Sequence, residues 1–155
     1  MIPILMVLVQ ASDAAKLSGL TSHQLREWCG RRALVTPDVP AAGRGHLALF
    51  SWQTVLALRI LNELHDRFGV EVSAWRVAIA ELQDILKNKP FPSLWGASVV
   101  FASTSEAQLI VDRQSARQTG GLLIELDRHL DVLANTDGIP IEQQLPLFPA
   151  VVVGR

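Results

Sequence analysis

The feature that most constrains the fold is a pair of short helix-forming segments separated only by Gly19 and Leu20. Residues 13–18 form the first segment, and Ser12 stands where a side chain can cap it. Gly19 follows directly, and glycine at this position can adopt the left-handed conformation that ends a helix. The first helix therefore has both a start and a stop signal in the sequence.

The second helix starts with a capping box. Thr21 is followed three residues later by Gln24, so each side chain can bond the backbone N–H of the other residue. This pattern predicts a helix to about Arg32. The apolar side chains of both helices can converge inward, which predicts a helix-turn-helix; they are Ala14, Leu17, Leu20, Leu25 and Trp28.

Two short strands around a glycine-rich tip are predicted next. Residues 33–37 and 46–50 are strand-like, and Pro40, Gly43 and Gly45 lie between them. The result is a hairpin-like wing that carries Arg44 near its tip.

Two longer helices follow the wing. Ser51 can cap a helix over residues 52–68, and Ser73 can cap a helix to about Lys87. Their apolar residues recur at helical spacing, which predicts that each helix buries one face. Pro90 and Pro92 then stop helix formation.

We expect a domain boundary at these prolines, with mostly helices before it and mostly strands after it. Residues 1–88 form a helix-turn-helix domain, residues 89–96 a proline-rich connector, and residues 97–155 a small strand-rich segment. Within the last part, the expected strands are 97–102, 108–111 and 122–126, the expected helix is 127–134, and residues 145–153 are an edge strand or docking arm. The fold class is α+β, mostly helical, and the last segment should fold through dimerisation or by packing on the third and fourth helices.

Composition excludes several classes of protein. Of the 155 residues, 49% are hydrophobic and 19% are charged, which excludes a disordered or mucin-like chain. Residues 2–9 are apolar but too few to span a membrane, so we expect a buried strand, or else a disordered or partner-bound start, in a cytoplasmic protein.

Neither a metal site nor an active site is predicted. Cys29 is the single cysteine, on the apolar side of a helix, and is expected to be a small buried hydrophobe. The four histidines have no metal-ligand spacing, and the sequence has no phosphate loop, nucleophile elbow or compelling acid pair. We expect no enzyme activity, no metal and no cofactor.

Positive charge is concentrated in one fifth of the chain. The net charge is −1, yet residues 16–46 hold five basic residues against two acidic ones. A basic patch of this kind is typical of a surface that meets nucleic acid, although an ordinary solvated surface remains an alternative on charge alone.

The ordered set of motifs over residues 12–87 resembles the DNA-binding domain of the MerR family of bacterial transcription regulators. The resemblance rests on six pieces in order: Ala15-Lys16 with Gly19, then Leu25-Arg26, then Leu34 with Pro37, then a glycine-rich wing, a leucine-rich helix and the Phe68-Gly69-Val70 break. It implies a winged helix-turn-helix that binds double-stranded DNA as a homodimer.

Three departures separate this chain from the family pattern. The wing motif is Gly45-His46-Leu47, so the usual wing arginine must come from Arg44 or be absent. The aromatic residue after Leu-Arg is shifted by one position to Trp28. Pro90 and Pro92 forbid the long dimerisation helix that usually follows.

The second helix and the wing supply the predicted DNA contacts. Side chains near the N-terminus of a major-groove helix contact base edges, while arginines bind phosphates. The candidate residues are Ser22, His23, Gln24, Arg26, Glu27, Arg31, Arg32, Arg44 and His46. A carboxylate such as Glu27 repels DNA unless it accepts from cytosine or holds Arg31.

Two other functions stay open. In the first, residues 97–155 bind a partner toxin and the DNA-binding half autoregulates the operon, as in small MerR-like antitoxins. In the second, the helix-turn-helix is degenerate and the protein is a protein-only adaptor. The balanced net charge and the missing wing arginine favour this alternative.

Overall fold

The computed structural model describes residues 8–43, 45 and 47–135. Helix α1 spans Ala11–Ser18 and helix α2 spans Ser22–Arg26. Helix α1 begins one residue before Ser12, and its N-cap is Gln10, without a side-chain cap bond. The prediction of Ser12 as the cap is therefore wrong, because the strand that precedes the helix runs directly into it.

The second helix changes its winding before it ends. After Arg26 the chain continues as a π-helical turn over Glu27–Arg31, and the Arg32 N–H donates to the Glu27 carbonyl at 2.7 Å. The backbone N–H groups of Leu34 and Val35 then both donate to the Trp28 carbonyl. The predicted strand over residues 33–37 is wrong, because this segment satisfies the end of the helix instead of a sheet.

The wing has less strand pairing than expected. Strand β1 (Val9–Gln10) pairs antiparallel with strand β2 (Leu49–Phe50), and Val39 forms an isolated bridge with Leu49. The second wing strand is thus confirmed at its end, but its main partner is the segment before α1. Leu8, just before β1, is exposed and lies outside the strand, so the predicted buried strand over residues 2–9 is not confirmed at this residue. Residues 2–7 and the 145–153 tail lie outside the described residues.

Helices α3 and α4 form the centre of the molecule. Helix α3 spans Trp52–Asp66 and is capped by Ser51, whose hydroxyl accepts from the Thr54 N–H. Helix α4 spans Arg76–Leu86 and is preceded by a 3-10 turn over Val72–Trp75. Ser73 is not the cap of this helix, because Glu71 accepts from the Ser73 N–H and starts the 3-10 turn.

A small sheet follows a 3-10 turn at Phe91–Leu94. Its strands are β3 (Ser98–Ser103), β4 (Glu106–Ile110) and β5 (Leu122–Glu125), in the antiparallel order β4-β3-β5. The other elements of this part are helices α5 (Arg113–Gln118) and α6 (Asp127–Asn135). The α+β fold class, with helices first and a small sheet after them, is confirmed.

One hydrophobic core joins the two halves of the described chain. The same cluster of buried side chains includes Leu17 of α1, Leu61 of α3, Phe101 of β3 and Leu130 of α6. The sheet lies against α4, where the Ala107 N–H donates to the Glu81 carboxylate at 2.6 Å. The C-terminal elements therefore pack on α3 and α4, and the boundary at residues 89–96 stays a prediction.

Candidate nucleic-acid interface

The turn between α1 and α2 is held from both ends. Gly19 has φ +77° and ends α1, and the Leu20 N–H donates to the Ala15 carbonyl at 3.0 Å. At the start of α2, the Thr21 hydroxyl accepts from the Gln24 N–H, and the Gln24 side chain accepts from the Thr21 N–H, both at 3.0 Å. The predicted capping box is confirmed, and it assigns Gln24 a role inside the protein.

Helix α3 supports this turn through two polar side chains. The Arg59 guanidinium donates to the Leu17 carbonyl, and the Asn62 amide donates to the Ser18 carbonyl at 3.2 Å. These carbonyls belong to the last turn of α1. The carbonyl groups of a helix's last turn find no N–H donors within the helix and need partners elsewhere. The orientation of α1 and α2 is thus fixed by the central helix.

Helix α2 has one buried side and one exposed side. Leu25 and Trp28 are each only 4% exposed, and the Trp28 ring packs edge-on against His65 at a centroid distance of 5.5 Å. Ser22, His23 and Arg26 lie on the exposed side. The structure therefore brings three of the predicted contact residues onto one outward surface at the start of the helix.

Glu27 holds the arginines that follow it. Its carboxylate lies 3.7 Å from the guanidinium of Arg31 and 3.8 Å from that of Arg32. The Arg31 side chain is 82% exposed, so its ion pair is weak and easily exchanged for another anion. Of the two roles considered for Glu27, the structure shows the contact with Arg31.

Arg32 has further partners on the neighbouring elements. Its guanidinium donates to the Ser73 hydroxyl at 3.2 Å and lies 3.9 Å from the Glu71 carboxylate. Its carbonyl accepts from the Arg76 side chain at 2.8 Å. Arg32 thus joins the end of the π-helical turn to the start of α4, and a phosphate would have to compete with these contacts.

The base of the wing is anchored to α3. Asp38 accepts from the Ser51 N–H at 2.7 Å and from the Thr54 hydroxyl at 2.6 Å. These bonds fix where the wing leaves the domain. Arg44 and His46, the predicted wing contacts, lie outside the described residues.

Cys29 is a half-buried, neutral thiol. Burial raises its pKa to about 12, so the thiolate is not formed at neutral pH. A neutral thiol is a poor nucleophile and a poor metal ligand. Among the residues that the structure describes, no group of three histidine, cysteine, aspartate or glutamate side chains could hold a metal ion.

The sequence analysis missed a polar cluster behind the interface. His129 of α6 is 3% exposed; its Nε2 lies 2.6 Å from the Glu63 carboxylate, and its Nδ1 accepts from Arg59 Nε at 3.1 Å. Burial alone would raise the pKa of Glu63, but hydrogen bonds from His129 and Arg67 and the charge of Arg128 lower it overall. Since Arg59 also bonds the end of α1, this cluster connects α6 to the helix-turn-helix.

No sequence pattern marks that cluster, because its members come from two distant segments. Glu63 and His129 are 66 residues apart, and neither belongs to a motif. The one usable signal was the polar side of α3 between its apolar positions.

In the described part of the chain, no helix is long and apolar enough to cross a membrane.

Comparison with known proteins gives a family and three relatives. The MerR HTH family of regulatory proteins matches residues 9–86, which contain β1, the helix-turn-helix, the wing, α3 and α4. Proteins named HTH-type transcriptional regulators, one from Mycobacterium bovis and two from strains of Mycobacterium tuberculosis, are each 34% identical over 129 residues. The match covers 79% of this chain and 55% of each relative, so the chain spans about half the length of these relatives.

The family match covers the elements that build the exposed surface of α2. It also agrees with the order of motifs found in the sequence, from the glycine turn to the helix after the wing. The chain belongs to the MerR HTH family of regulatory proteins.

Proposed function

We propose that the chain is a regulator of transcription that binds double-stranded DNA, with α2 in the major groove and the wing on the backbone. The observation that carries this proposal is the exposed surface that Ser22, His23 and Arg26 form along α2. Leu25 and Trp28 anchor the opposite side of the helix in the core. A rigid helix that presents its first turn outward is the arrangement that major-groove contacts require.

The two arginines of this region have different roles in the proposal. Arg26 has no ion pair with any described residue, so its guanidinium is free for a guanine edge or a phosphate. Arg31 is exposed and only loosely paired with Glu27, which suits a phosphate contact. Phosphate contacts hold a protein in register on the duplex, while contacts with base edges give the sequence preference.

Binding is expected to require two copies. Each neutralised phosphate contributes about −0.9 to the slope of log affinity against log salt. One subunit offers few free cations in its described part, and the net charge of the chain is −1. A homodimer on a two-fold symmetric site doubles the contacts without changing the surface.

Fluorescence anisotropy with labelled duplexes tests the proposal at two salt concentrations. We expect binding that weakens markedly between about 50 and 200 mM salt. Arg26→Ala should lower affinity by about 1–3 kcal/mol. The matched control is Arg117→Ala, which removes an exposed cation from α5, away from the helix-turn-helix.

Two results would contradict the proposal. Absent or salt-insensitive binding would instead favour a protein-only adaptor. Equal losses for Arg26→Ala and Arg117→Ala would show that general charge, and not the surface of α2, attracts the duplex. Light scattering of the free protein and of the complex gives the number of copies.

A further inference from the structure

An open apolar cleft lies between the helix-turn-helix and the wing. Its volume is about 500 Å³, which is within the range of about 300–1,000 Å³ typical of small-molecule sites. The lining residues on the helical side include Leu25, Cys29 and Gly30, and those on the wing side include Pro40, Ala41 and Ala48. The cleft thus separates two elements of the proposed DNA interface.

The local backbone keeps the cleft open. Glu27–Arg31 is wound as a π-helical turn, and π-helical turns often occur at functional sites. Gly30 lies in this turn and has no side chain, and no heavy atom lies within 4 Å of the place where its Cβ would be. Gly30 is exposed, so this space is open to solvent and accessible to a ligand.

The walls are apolar, but one edge carries a positive charge. Leu25 and Phe50 are buried side chains that line the cleft, and the Cys29 thiol is neutral. Arg26 also lines it, is exposed, and forms no ion pair with a described residue. An apolar body with one anionic group would place the body against the walls and the anion on Arg26.

We propose that this cleft binds a small apolar compound that carries one negative charge. The charge complementarity at Arg26 selects such an anion over a neutral or cationic compound of the same size. The apolar surface of the ligand replaces water along the walls, and that burial supplies most of the affinity.

A ligand in the cleft would also affect the proposed DNA interface. A ligand bound to Arg26 removes that side chain from DNA, so ligand and duplex compete. This consequence rests on the proposed function, whereas the binding site itself does not. The test is therefore carried out without DNA, and failure of DNA binding would leave its result intact.

The test is a titration of the full chain with anilinonaphthalene sulfonate, an aromatic anion whose fluorescence rises in apolar surroundings. We expect saturable binding of one dye per chain. Arg26→Gln should weaken it about tenfold, the cost of losing one charged hydrogen bond. Arg31→Gln is the control, since it removes an exposed cation from the π-helical turn that follows α2 but does not line the cleft.

Filling the cleft provides a second test. Gly30→Leu and Ala48→Leu each add a side chain to a lining position and should each abolish binding. Circular dichroism and thermal unfolding must show that at least one of the two variants is folded. Binding that persists in a folded variant, equal effects of Arg26→Gln and Arg31→Gln, or a non-saturating signal would overturn the proposal.

Other occupants give different outcomes in the same titration. Dye affinity that falls as the protein concentration rises would assign the cleft to a second copy. An increase in dye affinity on Leu147→Asp in the full chain would assign it to the apolar tail. Either result would overturn the proposal of a small anionic ligand.

Discussion

At the scale of the residue, Glu27 moderates the charge of the proposed interface. Its carboxylate is shared between Arg31 and Arg32, at distances of 3.7 and 3.8 Å. While these contacts hold, the carboxylate partly cancels the charge available to a phosphate. In the proposed complex, Glu27 would therefore limit nonspecific attraction to DNA and leave more of the discrimination to the exposed side of α2.

Glu27→Gln should increase affinity for random-sequence duplexes and steepen its salt dependence. The substitution removes a repulsive charge and frees one or two arginines, each of which adds about 0.9 to the magnitude of the salt slope. Anisotropy at several salt concentrations measures the slope. Glu125→Gln, an exposed carboxylate in β5, is the matched control; an unchanged slope for Glu27→Gln would contradict this role.

His129 is expected to make stability depend on pH. Its Nδ1 accepts from Arg59, so the neutral ring carries its proton on Nε2 and donates it to Glu63. Burial lowers the pKa of His129 below its ordinary 6.5; the bond to Glu63 opposes this, and the charges of Arg59 and Arg128 add to it. A proton on Nδ1 would break the bond with Arg59.

The lowered pKa of His129 determines whether stability rises or falls with pH. The unfolded chain takes up a proton on this histidine near pH 6.5, before the folded chain does. Stability is therefore complete above that pH and falls as the pH drops towards the folded pKa. Melting temperatures of the wild type should decrease from pH 7 to pH 5.

His129→Gln is the variant that checks this explanation. A glutamine amide can accept from Arg59 and donate to Glu63 without titrating in this range. The variant should show a flatter stability profile between pH 7 and pH 5. A profile as steep as that of the wild type would assign the dependence to other groups.

At the scale of the element, β5 depends on a single glycine. Gly121 has φ +130°, and a Cβ added there would lie 2.4 Å from the Phe101 carbonyl oxygen of β3. This backbone carbonyl cannot rotate away as a side chain could. Gly121 thus permits the close approach with which the β3–β5 pair begins.

Gly121→Ala should destabilise the fold by about 1–3 kcal/mol, as overpacking of a filled site does. Gly120→Ala is the control, because no heavy atom lies within 4 Å of its added Cβ and its φ is not positive. Urea denaturation of the two variants measures the difference. Equal stability of both variants would show that the strand can move without cost.

The helix-turn-helix was predictable from sequence because its signals are local. Gly19 ends a helix and Thr21 starts one within three residues, and the inward side chains, such as Leu25 and Trp28, follow helical spacing. The three strands and helix α6 of the C-terminal part were also located to within one or two residues, whereas helix α5 was not predicted. Each of these features depends on neighbours in the chain.

The features that were missed have no recognisable signal in the local sequence. Leu49 pairs with Val39 on one side and with β1 on the other, and the predicted first wing strand is reduced to the single bridge at Val39. The π-helical turn ends where the N–H groups of Leu34 and Val35 reach the Trp28 carbonyl, a bond pattern with no sequence signature. For the interface, the start of α2 was predicted, while the internal partners of Arg32 were not.

At the scale of the whole molecule, one core connects the proposed DNA-binding elements to the C-terminal sheet. The buried cluster runs from Val9 to Leu133, and the Arg59, Glu63 and His129 cluster crosses from α3 to α6. A shared core of this kind predicts cooperative unfolding. A ligand or partner on α6 would therefore act on a scaffold that also holds the turn before α2.

Urea unfolding should accordingly show one transition. Near-ultraviolet circular dichroism reports the tryptophans in the helical part and around Trp75, which packs on Phe101 of the sheet at a ring-centroid distance of 5.6 Å. Far-ultraviolet circular dichroism reports the helices. The two midpoints should coincide, and separate midpoints would show that the sheet and the helix-turn-helix unfold independently.

The central claim is that the exposed start of α2 contacts DNA bases, and selection of duplexes from a random pool tests it most directly. The wild type should enrich a site with two related half-sites, as a symmetric dimer would. His23→Ala or Arg26→Ala should lose the preference at particular positions while keeping salt-dependent binding. No enrichment, or a motif that stays identical in both variants, would contradict the claim.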